Sequence, residues 1–149
     1  NRTDYIKRLI GLPGDELQFI DGNIFINGNK IIRKKMNKIN SVRCGKISFN
    51  VDTYEEFLPN GRRHIAVYNQ TGTLQNTKKF IVPENHFFLL GDNRDCSKDS
   101  RYLGSVSNVN LVGKARIIFF SNDTISGSML KFWNLKNSFR INRLFKKIK

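Results

Sequence analysis

The pattern of apolar and polar positions predicts short β-strands over the first thirty residues. Apolar runs lie at residues 5–10, 17–20 and 24–26, each of the length that strands commonly have. The last two runs are separated by Asp21-Gly22-Asn23, and Asn27-Gly28 follows them. Asp-Gly and Asn-Gly pairs supply the positive φ angles of tight hairpin turns. We therefore expect a meander of antiparallel strands here.

The middle of the chain is harder to interpret. Residues 33–80 are polar and weakly periodic, and we interpret them as an insertion or subdomain rather than the site of chemistry. Within them, residues 63–68 and 79–82 have the composition of strands, with a turn near Thr71-Gly72. Further on, the compact apolar runs at 87–90 and 114–120 predict two buried strands.

The end of the chain has a different period. Apolar residues recur at spacings near three and four with basic residues between them, at Phe132, Leu135, Phe139, Ile141, Leu144, Phe145 and Ile148. This pattern predicts a basic amphipathic segment of the kind that lies on a membrane surface, and Trp133 is a residue typical of that interface. A terminal helix packed on its own domain is the alternative.

Composition is that of a globular domain. The 149 residues are 39% hydrophobic and 26% charged, which is enough to bury a core in one domain. No apolar run approaches the ~18 residues that cross a bilayer, and the first residues do not resemble a signal peptide. We predict a catalytic domain over residues 1–125 and a basic tail over 126–149.

The charge is strongly positive and unevenly distributed. Lysine and arginine number 26 against 12 acidic residues, a net charge of +14, and no acidic residue follows Asp123. Such a surface attracts nucleic acid or anionic lipid.

The cysteines and histidines do not suggest a metal site. Cys44 and Cys96 are far apart and match no metal-ligand spacing, so two unpaired thiols are expected rather than a disulfide. His64 and His86 are isolated in the sequence, and zinc would need further ligands. We expect no metal and no cofactor.

Two segments carry the candidate chemistry. Residues 4–15 read DYIKRLIGLPGD and residues 91–104 read GDNRDCSKDSRYLG. A lysine among apolar residues of a predicted strand is unusual for the surface, and the opposite charges of the second segment can satisfy one another in a compact loop. The segments resemble the lysine box and the Gly-Asp-Asn-Arg-Asp box of bacterial type I signal peptidases. Residues 110–115, NLVGKA, are also similar to the stretch that follows in that family.

The resemblance implies a fold and a mechanism. The expected fold is mainly β, the signal-peptidase or LexA-like arrangement of coiled antiparallel sheets. The expected activity is that of a serine endopeptidase that removes N-terminal signal peptides from secreted preproteins, with Lys7 as general base. A lysine base must be uncharged, and burial disfavours the ammonium form. The resemblance further implies that Ser97 hydrogen-bonds and orients Lys7, and that Asp99 and Arg101 form a supporting ion pair.

The same resemblance suggests partners and a location. Asp4, Tyr5 and Ile6 match the strand that pairs with extended substrate and lines pockets for small side chains. The implied partners are signal peptides of secretory preproteins and, through residues 132–149, anionic membrane lipid, with no nucleic acid. The implied location is the cytoplasmic membrane, with the catalytic domain on its periplasmic or outer face.

The nucleophile of the family is not found in residues 1–149. It stands in a Ser-Met-x-Pro box before the lysine, beside a transmembrane helix. Ser128-Met129 follows the lysine and lacks the proline. We therefore expect an N-terminally truncated chain that is inactive as it stands.

Two other functions stay open. A nucleic-acid-binding β domain would explain the charge, although no base-stacking or base-reading motif accompanies it. A self-cleaving Ser-Lys repressor domain would share the fold, but the long insertion and the basic aromatic tail fit it poorly.

Overall fold

A computed structural model describes residues 3–69, 76–119 and 143–148, with the backbone alone at 37–40. The chain divides into two compact units, Asn1–Val112 and Gly113–Lys149.

Antiparallel β-sheets dominate the described part of the first unit. One sheet has the strand order β1-β9-β10, a second β4-β3-β2-β8, and a third β5-β6-β7. The strands are β1 (Arg8–Gly11), β2 (Glu16–Ile20), β3 (Asn23–Ile26), β4 (Asn29–Lys30), β5 (Ile32–Cys44), β6 (Ile47–Phe57), β7 (Arg63–Tyr68), β8 (Phe80–Ile81), β9 (His86–Leu90) and β10 (Val106–Ser107). A single helical turn, α1 (Ser100–Leu103), and two 3₁₀ turns, Arg94–Cys96 and Asn108–Asn110, complete this part. The expectation of a mainly β, antiparallel fold is confirmed.

The predicted hairpin turns are present. Ile20 pairs with Asn23 across the β2–β3 turn, whose two residues, Asp21 and Gly22, have φ angles of 47° and 68°. Asn27 and Gly28, between β3 and β4, have φ angles of 51° and 77°. Positive φ at two successive positions is what an Asp-Gly or Asn-Gly turn provides.

One apolar core underlies the first two sheets. Alternate residues of β2 and β3 point inward, as period-two patterning requires. The buried cluster comprises Ile10, Leu17, Phe19, Ile24, Ile26, Ile31, Val82, Phe88 and Leu90. Each such side chain, when fully buried, stabilises the fold by roughly 1.5–3 kcal/mol. Because β1 pairs with β9, with Arg8 opposite Leu90, this core also brings the two candidate segments side by side.

The long hairpin of β5 and β6 was not predicted. Most of residues 33–57, interpreted as part of a weakly periodic insertion or subdomain, pair continuously from Ile32–Phe57 to Cys44–Ile47, with a register shift between Met36 and Ile39. A shift of this kind is a bulge, which bends the strands and increases their twist. β7, by contrast, matches the predicted strand at residues 63–68.

The strand predicted at residues 114–120 is wrong for the part that is described. Residues 114–119 make one isolated bridge, between Ile117 and Lys147. Ile117 is 49% and Phe119 74% exposed, and Phe119 contacts Phe145 edge to face. The apolar run therefore reflects this local contact within the second unit rather than a buried strand.

Most of the predicted basic tail lies outside the described residues, together with Trp133 and Ser128-Met129. Residues 143–148 form a turn and the bridge to Ile117 rather than an α-helix. Among the described residues, no helix has the length and apolar character required to cross a bilayer.

Candidate active site

Lys7 lies immediately before β1 and reaches the loop that follows β9. The prediction that Lys7 lies inside a strand is wrong by one residue, because β1 begins at Arg8. The Lys7 side chain is half-buried, and its Nζ donates a hydrogen bond of 2.8 Å to Ser97 Oγ. The Tyr5 ring centroid lies 6.0 Å from the same nitrogen. The structure therefore joins Lys7 and Ser97, which are 90 positions apart in sequence.

The residue next to Lys7 fixes the start of the same loop. Arg8 Nε donates to Asp92 Oδ1 at 2.7 Å and Arg8 Nη2 donates to Asp92 Oδ2 at 2.8 Å. Two parallel bonds between a guanidinium and a carboxylate restrict orientation as well as distance. Together with the pairing of Arg8 and Leu90, they hold the backbone of Lys7 against the second segment.

Gly91 leaves the space in which Ser97 lies. A Cβ at Gly91 would lie 2.1 Å from Ser97 Oγ and 2.4 Å from Ser97 Cβ, so no larger residue fits without displacing Ser97. The Gly91 N–H also donates to Asp99 Oδ2 at 2.9 Å. The close packing of Ser97 thus depends on glycine having no side chain at position 91, and the Gly91–Asp99 bond closes the loop.

Asp99 and Arg101 form the ion pair that the family resemblance implied. Arg101 Nη2 and Nε each donate to the Asp99 carboxylate at 2.8 Å, and both side chains are almost fully buried. Burial alone would raise the pKa of Asp99, but the bonds from Arg101 and Gly91 outweigh it and the pKa is lowered. Asp99 therefore stays ionised and holds two parts of the loop together.

A second buried ion pair, between Arg94 and Glu56, was missed by the sequence analysis. Arg94 Nη1 and Nη2 donate to the two oxygens of Glu56 at 2.9 Å and 2.6 Å, with side-chain exposures of 0% and 1%. Tyr68 donates its hydroxyl proton to Glu56 Oε1 and accepts from Arg94 Nη1 at 2.6 Å. His64 Nε2 lies 3.1 Å from Glu56 Oε2. Three of these four side chains come from the stretch interpreted as remote from the chemistry.

The ionisation of Glu56 follows from these contacts. Burial opposes its charge, but hydrogen bonds with His64 and Tyr68 and the charge of Arg94 more than compensate and lower the pKa of Glu56 to about 2. Burial first, and then the neighbouring carboxylate, raises the pKa of Tyr68, so the phenol remains a neutral donor. The cluster is thus a carboxylate and a guanidinium with their hydrogen bonds satisfied.

The two cysteines are not free thiols. Cys44, at the end of β5, and Cys96 form a disulfide with a Cα–Cα distance of 5.6 Å. The prediction of unpaired thiols failed because 52 residues separate the two positions, and nothing in the sequence shows that the tip of a hairpin returns to this loop. Cys96 directly precedes Ser97, so the bridge tethers the loop next to that residue.

The two tethers require the long hairpin to curve. Glu56 and Ile47, the partners of Arg33 and Cys44, would be roughly 30 Å apart along a straight strand. Yet Glu56 contacts Arg94 and Cys44 is bonded to Cys96, and the short segment from Arg94 to Cys96 spans at most ~7 Å. Even with the extended Glu56 and Arg94 side chains and the disulfide added, this path is shorter than the straight strand. The hairpin therefore bends so that both of its ends reach one loop.

The three residues matched to a substrate-pairing strand are exposed. Asp4 is exposed, and Tyr5 and Ile6 are 77% and 76% accessible. They lead into β1, which lies at the edge of its sheet in the described structure. The described residues contain no cluster of histidine, cysteine and acidic side chains suited to a metal ion.

Taken together, the arrangement is suited to proton transfer. An uncharged lysine has one lone pair and two N–H bonds. One N–H is directed at Ser97 Oγ, which leaves the lone pair free to accept a proton from another hydroxyl group. The sequence model of the family described as "Signal peptidase, peptidase S26" matches residues 1–120. The chain belongs to this family.

Members of the S26 family with similar sequences are found in rickettsiae. The chain is 40% identical over 160 residues to signal peptidase I of Rickettsia typhi strain Wilmington, covering 97% of this chain and 59% of the relative. It is 40% identical over 162 residues to signal peptidase I of Rickettsia akari strain Hartford, with the same coverage. The chain thus spans about three fifths of the length of these relatives. A solved structure, signal peptidase I of Enterococcus faecalis V583, is 27% identical, covers 72% of this chain and 78% of its own, and has a TM-score of 0.39.

Proposed function

We propose that this chain forms the base-bearing part of a signal peptidase that removes N-terminal signal peptides from secretory preproteins. The observation that carries the proposal is the 2.8 Å hydrogen bond from Lys7 Nζ to Ser97 Oγ. Membership of the S26 family supports the reaction class. The bond supplies what that class needs: a lysine whose nitrogen is held in one orientation by a hydroxyl that is not itself the nucleophile.

In the proposed reaction, Lys7 activates a serine. Uncharged Lys7 accepts the serine hydroxyl proton as the oxygen attacks the scissile carbonyl, and the resulting ammonium returns the proton to the leaving amine. Water then hydrolyses the acyl-enzyme with Lys7 again as base. The resemblance assigns the serine to a box before the lysine, and the rickettsial relatives are longer than the stretch they share with this chain.

Substrate would add to the edge of the first sheet. Asp4, Tyr5 and Ile6 are exposed and continue into edge strand β1. An extended peptide can hydrogen-bond to such a backbone whatever its sequence, while shallow pockets select its side chains. This suits an enzyme that meets many different signal peptides but cleaves after small residues.

An oxidising compartment suits the disulfide between Cys44 and Cys96. Structural disulfides persist outside the cytosol and are rare within it. This supports the proposal that the domain acts on the periplasmic or outer face of the cytoplasmic membrane. The net charge of +14 favours contact with anionic lipid there.

The test is to replace Lys7 in the protein encoded by the complete gene. Lys7→Ala should lower cleavage of a preprotein with an Ala-x-Ala site by at least ~10³-fold, because the base is removed and the remaining groups bind substrate without activating the serine. Purified variants in detergent would be assayed by gel shift of the processed product. Exposed Lys30 provides the matched control, and Lys30→Ala should cleave normally. Normal turnover by a folded Lys7→Ala protein would refute the proposal.

A further inference from the structure

Arg94 occupies the centre of the loop that carries Ser97. Its Nε donates to the Gly91 carbonyl at 3.2 Å, and its own carbonyl accepts a hydrogen bond from Arg101. Gly91 and Arg101 both bind the Asp99 carboxylate. Arg94 therefore contacts both ends of the segment from Gly91 to Arg101, within which Ser97 packs against Gly91.

Glu56 is the carboxylate that allows this arginine to be buried. The Arg94 guanidinium has no exposed surface, and a buried charge left without a counter-charge is strongly unfavourable. Both Glu56 oxygens bind it, and Tyr68 and His64 complete the cluster. All three partners lie on β6 and β7, outside the two segments that carry Lys7 and Ser97.

We propose that Glu56 is a positioning residue for the Lys7–Ser97 pair, acting through Arg94. This rests on the proposed function. The sheet of β5, β6 and β7 is then a support for the active site. Without the Glu56 charge, Arg94 leaves its position to regain water, its bonds to Gly91 and Arg101 break, and Ser97 no longer meets Lys7 Nζ at hydrogen-bonding distance.

A double-mutant cycle between Glu56 and Ser97 tests the proposal. If Glu56 acts only through Ser97, the two substitutions are not additive. Using the full-length enzyme in detergent, with kcat expressed per active site titrated, Glu56→Gln should lower kcat about 10-fold or more with KM within about twofold. In a Ser97→Ala background, Glu56→Gln should lower kcat further by less than about twofold. The acidic limb of the kcat–pH profile should shift in Glu56→Gln in the same direction as in Ser97→Ala.

The matched control is Glu55→Gln. Glu55 is the preceding residue of β6 and has a longer, partly exposed contact of 3.6 Å with Arg63, so its removal should leave kcat, KM and the pH profile unchanged. If Glu56→Gln does not fold, Tyr68→Phe removes one bond to Glu56 and one to Arg94 and should show the same signature more weakly.

Two results separate the inference from the function on which it rests. The positioning role would be overturned by full additivity of the Glu56 and Ser97 substitutions. It would also be overturned if the loss of activity came only from a smaller fraction of folded protein, with an unchanged pH profile. In both cases Lys7→Ala would remain inactive. Turnover by Lys7→Ala would instead overturn the proposed function itself.

Discussion

Gly91 is required for the position of Ser97 because the two residues occupy adjoining space. Gly91 is buried, and its own N–H is already bonded to Asp99, so the backbone cannot move away to admit a side chain. The requirement here is for room rather than for an unusual φ angle.

Gly91→Ala should therefore inactivate without unfolding. The new methyl group would lie 2.1 Å from Ser97 Oγ, which is far inside contact distance, and Ser97 must leave Lys7. We expect kcat to fall about 10²-fold, since displacing catalytic groups by about 1 Å can cost that much. Gly113→Ala is the control, because a Cβ there meets nothing within 4 Å. Equal activity of the two variants in the preprotein assay would contradict the expectation.

Glu56 also makes the stability of the folded protein depend on pH. Its pKa is lowered in the folded state from 4.5 to about 2, so its contribution is complete above pH ~4.5 and is lost as the pH falls towards 2. This contribution of Glu56 to the free energy of unfolding is on the order of 3 kcal/mol. Asp99, whose pKa is also lowered, acts in the same direction. Asp95 acts in the opposite one, since burial raises its pKa.

Denaturant unfolding at a series of pH values would measure this effect. Glu56→Gln should be less stable than the unsubstituted protein at pH 6 and should lose less stability between pH 4.5 and 2. Glu55→Gln should follow the unsubstituted protein throughout. If the free energy of unfolding changed with pH in the same way for Glu56→Gln and the unsubstituted protein, Glu56 would not be the group responsible for the acid sensitivity.

The hairpin of β5 and β6 is attached to the Ser97 loop at two places. At one end Glu56 binds Arg94, and at the other Cys44 is joined to Cys96. The attachment at Cys96 is covalent and closes a loop of 52 residues in the unfolded chain, which lowers the entropy of that state.

Removing the disulfide should lower the free energy of unfolding by about 2–4 kcal/mol. The variant would be Cys44→Ser with Cys96→Ser, so that no free thiol remains, and the measurement would be chemical denaturation. A reducing agent should destabilise the unsubstituted protein by a similar amount and leave the double variant unaffected. Equal stability of the oxidised protein and the double variant would argue against this bridge.

Sequence reasoning succeeded where a local signal exists. Asp21-Gly22 needs no distant partner to form a turn, and the strands beside it share one core. It failed for β5, whose many lysines and asparagines obscure the alternation of a strand. It also failed for Cys44 and Cys96, because their meeting depends on how a long hairpin bends. The close approach of Lys7 and Ser97 came from the resemblance rather than from any period in the sequence.

The positive charge is a property of the whole chain. Ion pairs in the described region occupy acidic residues such as Asp92, Asp99 and Glu56, and the 26 basic residues outnumber the 12 acidic ones. The unbalanced cations are therefore available to an anionic surface, and after Asp123 there is no acidic residue to offset them. Basic residues near a membrane contribute about 1 kcal/mol each to binding of acidic lipid.

Deleting residues 132–149 should weaken binding to vesicles that contain anionic lipid by at least tenfold. Sedimentation with phosphatidylglycerol-containing vesicles would measure it, and binding by the intact chain should fall as salt is raised. Neutral phosphatidylcholine vesicles serve as the control and should bind both chains weakly. Unchanged binding after the deletion would show that residues 132–149 are not what binds the anionic lipid.

The bridge between Cys44 and Cys96 also sets an order of events. In a reducing cytosol both sulfurs would remain thiols, so a newly made chain would hold its Ser97 loop by hydrogen bonds and ion pairs alone. The covalent tether would close only after translocation to an oxidising compartment. On the proposed function, the enzyme would then finish maturing at the place where its substrates emerge.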